Sequence, residues 1–202
     1  MAAPSNLVFP LRLTLDKKRL WARLAIDGSR VRRTLDWFAL VDRLAAEARG
    51  LIEARGTFRL LQGDGSAELA GRDASRLLER AERIALGAVT LGAGLEERAN
   101  ELALAGDHAE GSVLSIIGDC ALAEAQDGVR AEAARYLGPE LEAGIVLQPG
   151  ARYWSIEANR MFERLLPLDA MGIRVLDSCG LSPSKSKTFA AAFTRATART
   201  SP

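Results

Sequence analysis

The sequence predicts a mixed α+β fold, a mainly antiparallel sheet flanked by helices. Three observations carry that reading. Stretches with helical periodicity are interspersed with several short strand-like runs, the pattern of an α+β domain. Apolar residues make up 48% of the chain and charged residues 26%, the composition of an ordinary soluble globular protein. Neither an internal repeat nor a low-complexity linker divides the 202 residues, which suffice for one sizeable core. We therefore expect one domain over residues 1–193 and a flexible tail over 194–202.

Leu7, Phe9, Leu11, Leu13 and Leu15 alternate with Val8, Pro10, Arg12 and Thr14, which predicts a half-buried first strand. Pro10 has no N–H for a ladder, so that strand belongs at an edge or starts irregularly. Arg19 to Ala25 fits a strand or a helical turn equally. Arg30, Arg32 and Arg33 form a basic cluster that reads as a solvated stretch ahead of a helix rather than an anion site. Asp36 is placed to cap that helix, with Phe38, Val41, Leu44, Ala45, Ala48, Leu51 and Ile52 on its inner stripe and Gly56 as its stop.

Thr57 to Gln62 reads as a second strand, and Ala74 to about Arg83 as a helix opened by Asp73 or Ser75. Ile84 to Leu91, apolar with a β-branched Val89-Thr90 pair, predicts a buried strand. A short acidic helix follows over Leu95–Leu104. The longest helical pattern runs from about Ala109 to Tyr136, with Val113, Ile116, Ile117, Cys120 and Ala121 on one face. Gly128 lies inside it and Gly138-Pro139 ends it. Ser186 to Phe193 predicts the last strand.

Charge and cysteine content exclude several classes. Basic and acidic residues number 27 and 26, so there is no electrostatic footprint for nucleic acid. No apolar run approaches the roughly 20 residues of a membrane span. The Met1-Ala-Ala-Pro-Ser-Asn start lacks the basic region and apolar core of a signal peptide, so we expect a cytoplasmic protein. Two cysteines and one histidine make neither a disulfide framework nor a zinc set. His108 alone also leaves little material for a histidine-based nucleophile, and no glycine-rich phosphate loop or dinucleotide fingerprint is present. A self-sufficient enzyme is not expected.

The informative stretch is Gly144 to Phe193. A short apolar run, Gly144 to Leu147, meets a Pro149-Gly150 turn. The aromatic pair Tyr153-Trp154 then leads into an amphipathic segment closed by Pro167. A second short strand, Gly172 to Leu176, is followed by a polar loop with Pro183, Lys185 and Ser186. A strand, a Pro-Gly turn and a basic, hydroxyl-rich loop together suit a polar small molecule. Gly150 has no side chain, so a ligand has close access to the backbone amides there.

At these residues the chain resembles the reactivation domain of vitamin B12-dependent methionine synthase and its stand-alone relatives. The family's landmarks are a strand ending in a Pro-Gly-Tyr turn, a Trp-Pro-Leu-like step, a helix ending in Phe-x-x-Leu-Leu, then Gly-Ile-x-Leu-x-x-Ser and Pro-x-Lys-Ser. Here they stand as Pro149-Gly150-Ala151, Trp154-Ser155-Ile156, Phe162-Glu163-Arg164-Leu165-Leu166, Gly172-Ile173-Arg174-Val175-Leu176-Asp177-Ser178 and Pro183-Ser184-Lys185-Ser186. Upstream, Ala88-Val89-Thr90-Leu91-Gly92, an acidic helix, Gly106-Asp107 and a long helix follow the family's middle. The resemblance covers Ile84 to Phe193 closely and the first third by general layout. It implies a curved antiparallel sheet with flanking helices.

It also implies ligands and partners. In the family the Pro-Gly turn holds S-adenosylmethionine, helped by an arginine on the strand before it and the tyrosine just after. Those two positions fall on Val146 and Ala151, so both contacts are missing, and Arg152 and Tyr153 offer the same chemistry in a shifted geometry. Tyr153 and Trp154 also read as core aromatics at a strand exit. Acidic residues of the family's long helix correspond to Asp119 and to Ala123, with Glu124 a third of a turn away and expected on solvated surface. Lys185 and Ser186 read either as holders of an anionic group or as an exposed turn lysine and its neighbour. The implied cofactor-binding set is thus Pro149, Gly150, Ala151, Arg152, Tyr153, Asp119, Lys185 and Ser186.

The implied role is that of an accessory protein to a corrinoid-dependent methyltransferase. It would bind S-adenosylmethionine and cap the corrinoid module, cobalamin being carried by a partner, for reductive methylation. The alternative keeps the fold and loses the ligand, leaving a docking subunit for a corrinoid protein or methyltransferase.

Overall fold

The computed structural model describes residues 7–27, 35–63, 69 and 71–195. In chain order its strands are β1 (Phe9–Pro10), β2 (Arg55–Gln62), β3 (Arg83–Thr90), β4 (Leu141–Leu147), β5 (Arg174–Val175), β6 (Leu181–Ser182) and β7 (Ser186–Arg195). The helices are α1 (Lys17–Asp27), α2 (Leu35–Leu51), α3 (Arg72–Leu78), α4 (Gly94–Leu104), α5 (His108–Leu137) and α6 (Asn159–Leu165). Five strands form an antiparallel sheet in the order β1-β2-β3-β7-β4, and β5 pairs with β6 in a separate two-stranded ribbon.

The unbroken apolar run of β3 has a simple cause: both faces of the sheet are covered. Alternate residues point to opposite sides. Ala85 and Val89 of β3, with Phe189, Ala191 and Phe193 of β7, pack under α2, α4 and α5. Ile84, Leu86, Ala88, Ala190 and Ala192 pack on the other side against α3, α6 and Trp154. Phe189 lies over Gly87, its partner in the β3–β7 ladder, where a Cβ would fall 2.3 Å from the ring. A ring buried this way contributes about 1.5–3 kcal/mol.

Helix α5 runs unbroken through Gly128 and ends at Gly138, whose φ of 87° suits only glycine well. Its inner face, from Val113 through Ile117 and Ala121 to Val129, lies on the sheet as the periodicity predicts. The buried strand, the acidic helix and the final strand also form where expected. Among the described residues no helix is long and apolar enough to cross a membrane.

Several expectations change. Only Phe9 and Pro10 of the first alternating run join the sheet, at its edge, opposite Gly56 and Arg55. The inward alternation nevertheless continues: Leu11 and Leu13 are half-buried, Leu15 is buried, and Arg12 and Thr14 are exposed. Burial sets that period, and the ladder does not. Arg19 to Ala25 is helical, within α1. Asp36 lies inside α2 rather than before it, and Phe38 is 45% exposed instead of on the inner stripe.

Gly56 does not stop α2, which ends at Leu51. It sits in β2, where a Cβ would come within 2.4 Å of Val129 on α5. Helix α3 stops at Leu78, because Arg83 already pairs in β3. Only Arg174 and Val175 of the Gly172–Leu176 run are paired. At the other end β7 continues past Phe193, with Thr194 and Arg195 opposite Glu142 and Leu141. The Arg30, Arg32 and Arg33 cluster and residues 196–202 lie outside the described residues.

A candidate ligand cleft where two strands part

Strands β4 and β7 pair as far as Leu147 and Ala190. The next residues of β4 are Gln148 and Pro149, and Pro149 brings no N–H to continue the ladder. The first residues of β7, Ser186 to Phe189, remain paired with β3 on one side only. The sheet opens there into a fork. A cavity of about 270 Å³ fills it, walled by Gln148, Pro149, Asn159 and the start of β7. A larger one, about 680 Å³, lies between α1, α5 and the same start of β7. Ser184, Ser186 and Lys187 wall both.

The candidate residues divide around this fork. Asp119 and Lys185, 66 positions apart, meet: Lys185 Nζ lies 2.6 Å from Asp119 Oδ1 and donates to Ser115 Oγ at 3.0 Å. The lysine side chain is 13% exposed and lies against Gly118, so the exposed turn lysine foreseen from sequence is corrected. Its charge already has a partner. Ser186 is buried, and its hydroxyl donates to Thr90 Oγ1 at 2.9 Å. Pro149 forms part of the smaller cavity's wall.

The Pro149-Gly150 turn closes on itself. Gly150, at φ 82°, donates its N–H to Trp154 O at 2.9 Å, and the Ala151 N–H goes to Gln148 O at 3.1 Å. Both amides offered to a ligand from sequence are therefore engaged, and the glycine is needed for its φ. Ala151, Arg152 and Tyr153 are exposed, with the Arg152 guanidinium 5.3 Å from the Tyr153 ring centre. Tyr153 lines a separate cavity beside α3, with Asp73, Arg76 and Arg80. Trp154 is buried, 5.4 Å from Phe162, as a core aromatic. Val146 is half-buried, paired with Ala191 and packed on the α5 side of the core.

Glu124 is not idle surface. Its carboxylate accepts from the Thr14 N–H at 2.5 Å, the Thr14 hydroxyl at 2.8 Å and the Asp16 N–H at 3.3 Å, fastening the segment ahead of α1 to α5. That places α1, with Arg19, Ala22 and Arg23, as the outer wall of the larger cavity, beside Ala123.

Sequence reasoning passed over Lys187. It is half-buried and walls both cavities, and it makes no hydrogen bond or ion pair among the described residues. Burial pushes its ammonium below the usual lysine range of 10.5, a shift that Asp119 opposes. The signal was present: period-two alternation puts Lys187 on the same face as Phe189, Ala191 and Phe193. Two paired amides flank it: Gln148 Nε2 donates to Gln126 Oε1 at 2.9 Å, and Asn159 Oδ1 accepts from Thr188 at 2.6 Å. Among the described residues no group of acidic, cysteine and histidine side chains is set to hold a metal ion.

The architecture is thus a helix-flanked antiparallel domain with a small-molecule-sized cleft where two strands separate. No protein-family model matches the chain, and none of the curated proteins does. Among solved structures it is similar to the MetH reactivation domain crystallised with AdoHcy bound. That likeness has a TM-score of 0.58 at 15% sequence identity and covers 94% of this chain and 80% of the other. The chain has the fold of the MetH reactivation domain.

Proposed function

We propose that the chain is a cytoplasmic accessory domain of a corrinoid-dependent methyl-transfer system. It binds S-adenosylmethionine, or the AdoHcy left after methyl transfer, in the fork between β4 and β7, and it caps a partner's corrinoid module. In such a system a partner's reduced corrinoid would supply the methyl-accepting chemistry, and this protein would bind and orient the sulfonium methyl donor. No side chain here has to act as acid or base.

The observation that carries the reading is the cleft itself. It lies beside the Pro149-Gly150 turn, in a fold shared with a domain crystallised with AdoHcy. Its two cavities, of about 680 and 270 Å³, suit a ligand of that size. Asp119, 51% exposed at the cavity wall, and half-buried Lys187 supply charges of both signs, as a zwitterionic amino-acid end requires.

The test is calorimetric titration with S-adenosylmethionine and AdoHcy, alone and with a corrinoid-loaded protein. Saturable binding of either ligand is the expected result. Absence of heat in both settings overturns the ligand half of the proposal. A second reading, the docking subunit, draws on Val146 and Ala151, which give the turn no polar contact, and on the self-closed amides of Gly150 and Ala151. It predicts co-elution with the corrinoid protein and no response to either ligand.

A further inference from the structure

We infer that Lys187, on β7, reads the carboxylate of the bound ligand. The inference rests on the ligand reading above and adds the residue that confers preference for a carboxylate. Among the cations near the fork, Lys185 is held by Asp119 and Ser115, and Arg19 is held by Asp127 at 2.8 Å. Arg160 is turned to Glu163 and to the carbonyls of Val175 and Leu176. Lys187 alone of these four has no hydrogen-bonded partner, and it lines both cavities.

An ammonium in that position has given up part of its hydration without a direct replacement. The acid that acts on it, Asp119, is already engaged by Lys185 at 2.6 Å. A carboxylate entering the fork restores the missing partner with a charge-assisted hydrogen bond. The wall beyond it is mixed: Ala22, Leu122 and Ala123 offer apolar surface for an uncharged ring, beside Arg23 and an Arg19 already held by Asp127. Charge at β7 and ring toward α1 fix one orientation of the ligand.

The experiment compares S-adenosylmethionine with its decarboxylated analogue on the full chain, as wild type, Lys187→Met and Lys187→Arg. Thermal melts serve as the folding control. The wild type is expected to prefer the carboxylated ligand by roughly tenfold or more, the value of one charged hydrogen bond. Lys187→Met should bind the two ligands equally, weakening only for the carboxylated one, while Lys187→Arg should keep a preference. A preference that survives in Lys187→Met overturns the role of Lys187 and leaves the ligand reading intact. A wild type that binds both ligands equally does the same. A wild type that binds neither overturns both.

Discussion

Removing Asp119 should destabilise the protein more than removing Lys185, although the two make a single ion pair. The lysine side chain is 13% exposed and the aspartate 51%, so the partners face different fates when left alone. In Lys185→Met the aspartate turns to water, and the apolar side chain still covers Gly118. The loss is the charge-assisted bond, about 1 kcal/mol for a pair with one exposed member. In Asp119→Ala a mostly buried ammonium keeps only the Ser115 hydroxyl. That should cost about 2–3 kcal/mol, below the roughly 3–5 kcal/mol found when a fully buried pair is broken.

Urea denaturation with linear extrapolation measures the gap. For a slope of about 2–3 kcal/mol per molar, a difference near 1.5 kcal/mol separates the two midpoints by roughly 0.5 M. The double variant Lys185→Met/Asp119→Ala should regain most of the loss of Asp119→Ala, because no charge is stranded. Equal midpoints for the single variants, or a lower one for Lys185→Met, would refute the assignment of Lys185 as the buried member.

Two further outcomes follow from the sheet. Gly87→Ala places a Cβ 2.3 Å from the fully buried Phe189 ring, so overpacking should lower stability by about 1–3 kcal/mol. A thermal melt would show it, and adding Phe189→Leu should recover part of the loss; an unchanged melting temperature contradicts the stacking. Lys187 makes a pH-dependent contribution. Its folded-state pKa is depressed below the usual 10.5, so between the two values the unfolded chain carries the extra proton. Stability is therefore fully present above about pH 10.5 and is lost as pH falls through the folded value. At pH 7 the charged side chain is a burden, with Asp119 partly relieving it and Arg19 and Arg23 facing the same cavity. Lys187→Met should be the more stable protein at pH 7, with the advantage shrinking toward pH 10.5. Urea midpoints at pH 7 and pH 10 check this, and a variant less stable at pH 7 refutes it.

What the sequence revealed depended on how local the cause was. Strand β3 was legible because burial on both faces leaves an unbroken apolar run, and α5 because one face repeats through Val113, Ile117 and Ala121. The alternation from Leu7 to Leu15 was equally visible and meant something else: an edge segment that faces inward from Phe9 onward, with Leu7 left exposed, and whose pairing ends after Pro10. Asp119 and Lys185 could each be named, but a bond across 66 positions leaves no mark on either neighbourhood. The same holds for Glu124 and Thr14, 110 positions apart. Arg152 and Tyr153 looked like ligand residues because they follow the Pro-Gly turn. The hydrogen bonds that close the turn between Gln148 and Trp154 leave Tyr153 beside α3 instead. Closeness in sequence to the fork does not bring Arg152 or Tyr153 into the walls of its two cavities.

The fork also explains why an unsatisfied charge is informative there. Once Pro149 ends the β4 ladder, the free edge of β7 is a place where polar groups must find partners among side chains. Nearly all do. Ser186 bonds Thr90, Thr188 bonds Asn159, Asn159 reaches Cys179 O at 2.8 Å, Gln148 bonds Gln126, and Lys185 bonds Asp119. A core so consistently paired sets a standard against which one half-buried lysine without a hydrogen bond stands apart. Folding alone gives no reason to keep an ammonium at that position, since methionine would cover the same surface at neutral pH without the desolvation. A ligand that brings its own negative charge does give one. The stability burden of Lys187 and the carboxylate preference assigned to it are therefore two consequences of one placement. A Lys187→Met protein should show both at once: a higher urea midpoint at pH 7 and no discrimination for the carboxylate. If the midpoint rises while discrimination persists, the lysine is merely tolerated, and the carboxylate is read elsewhere.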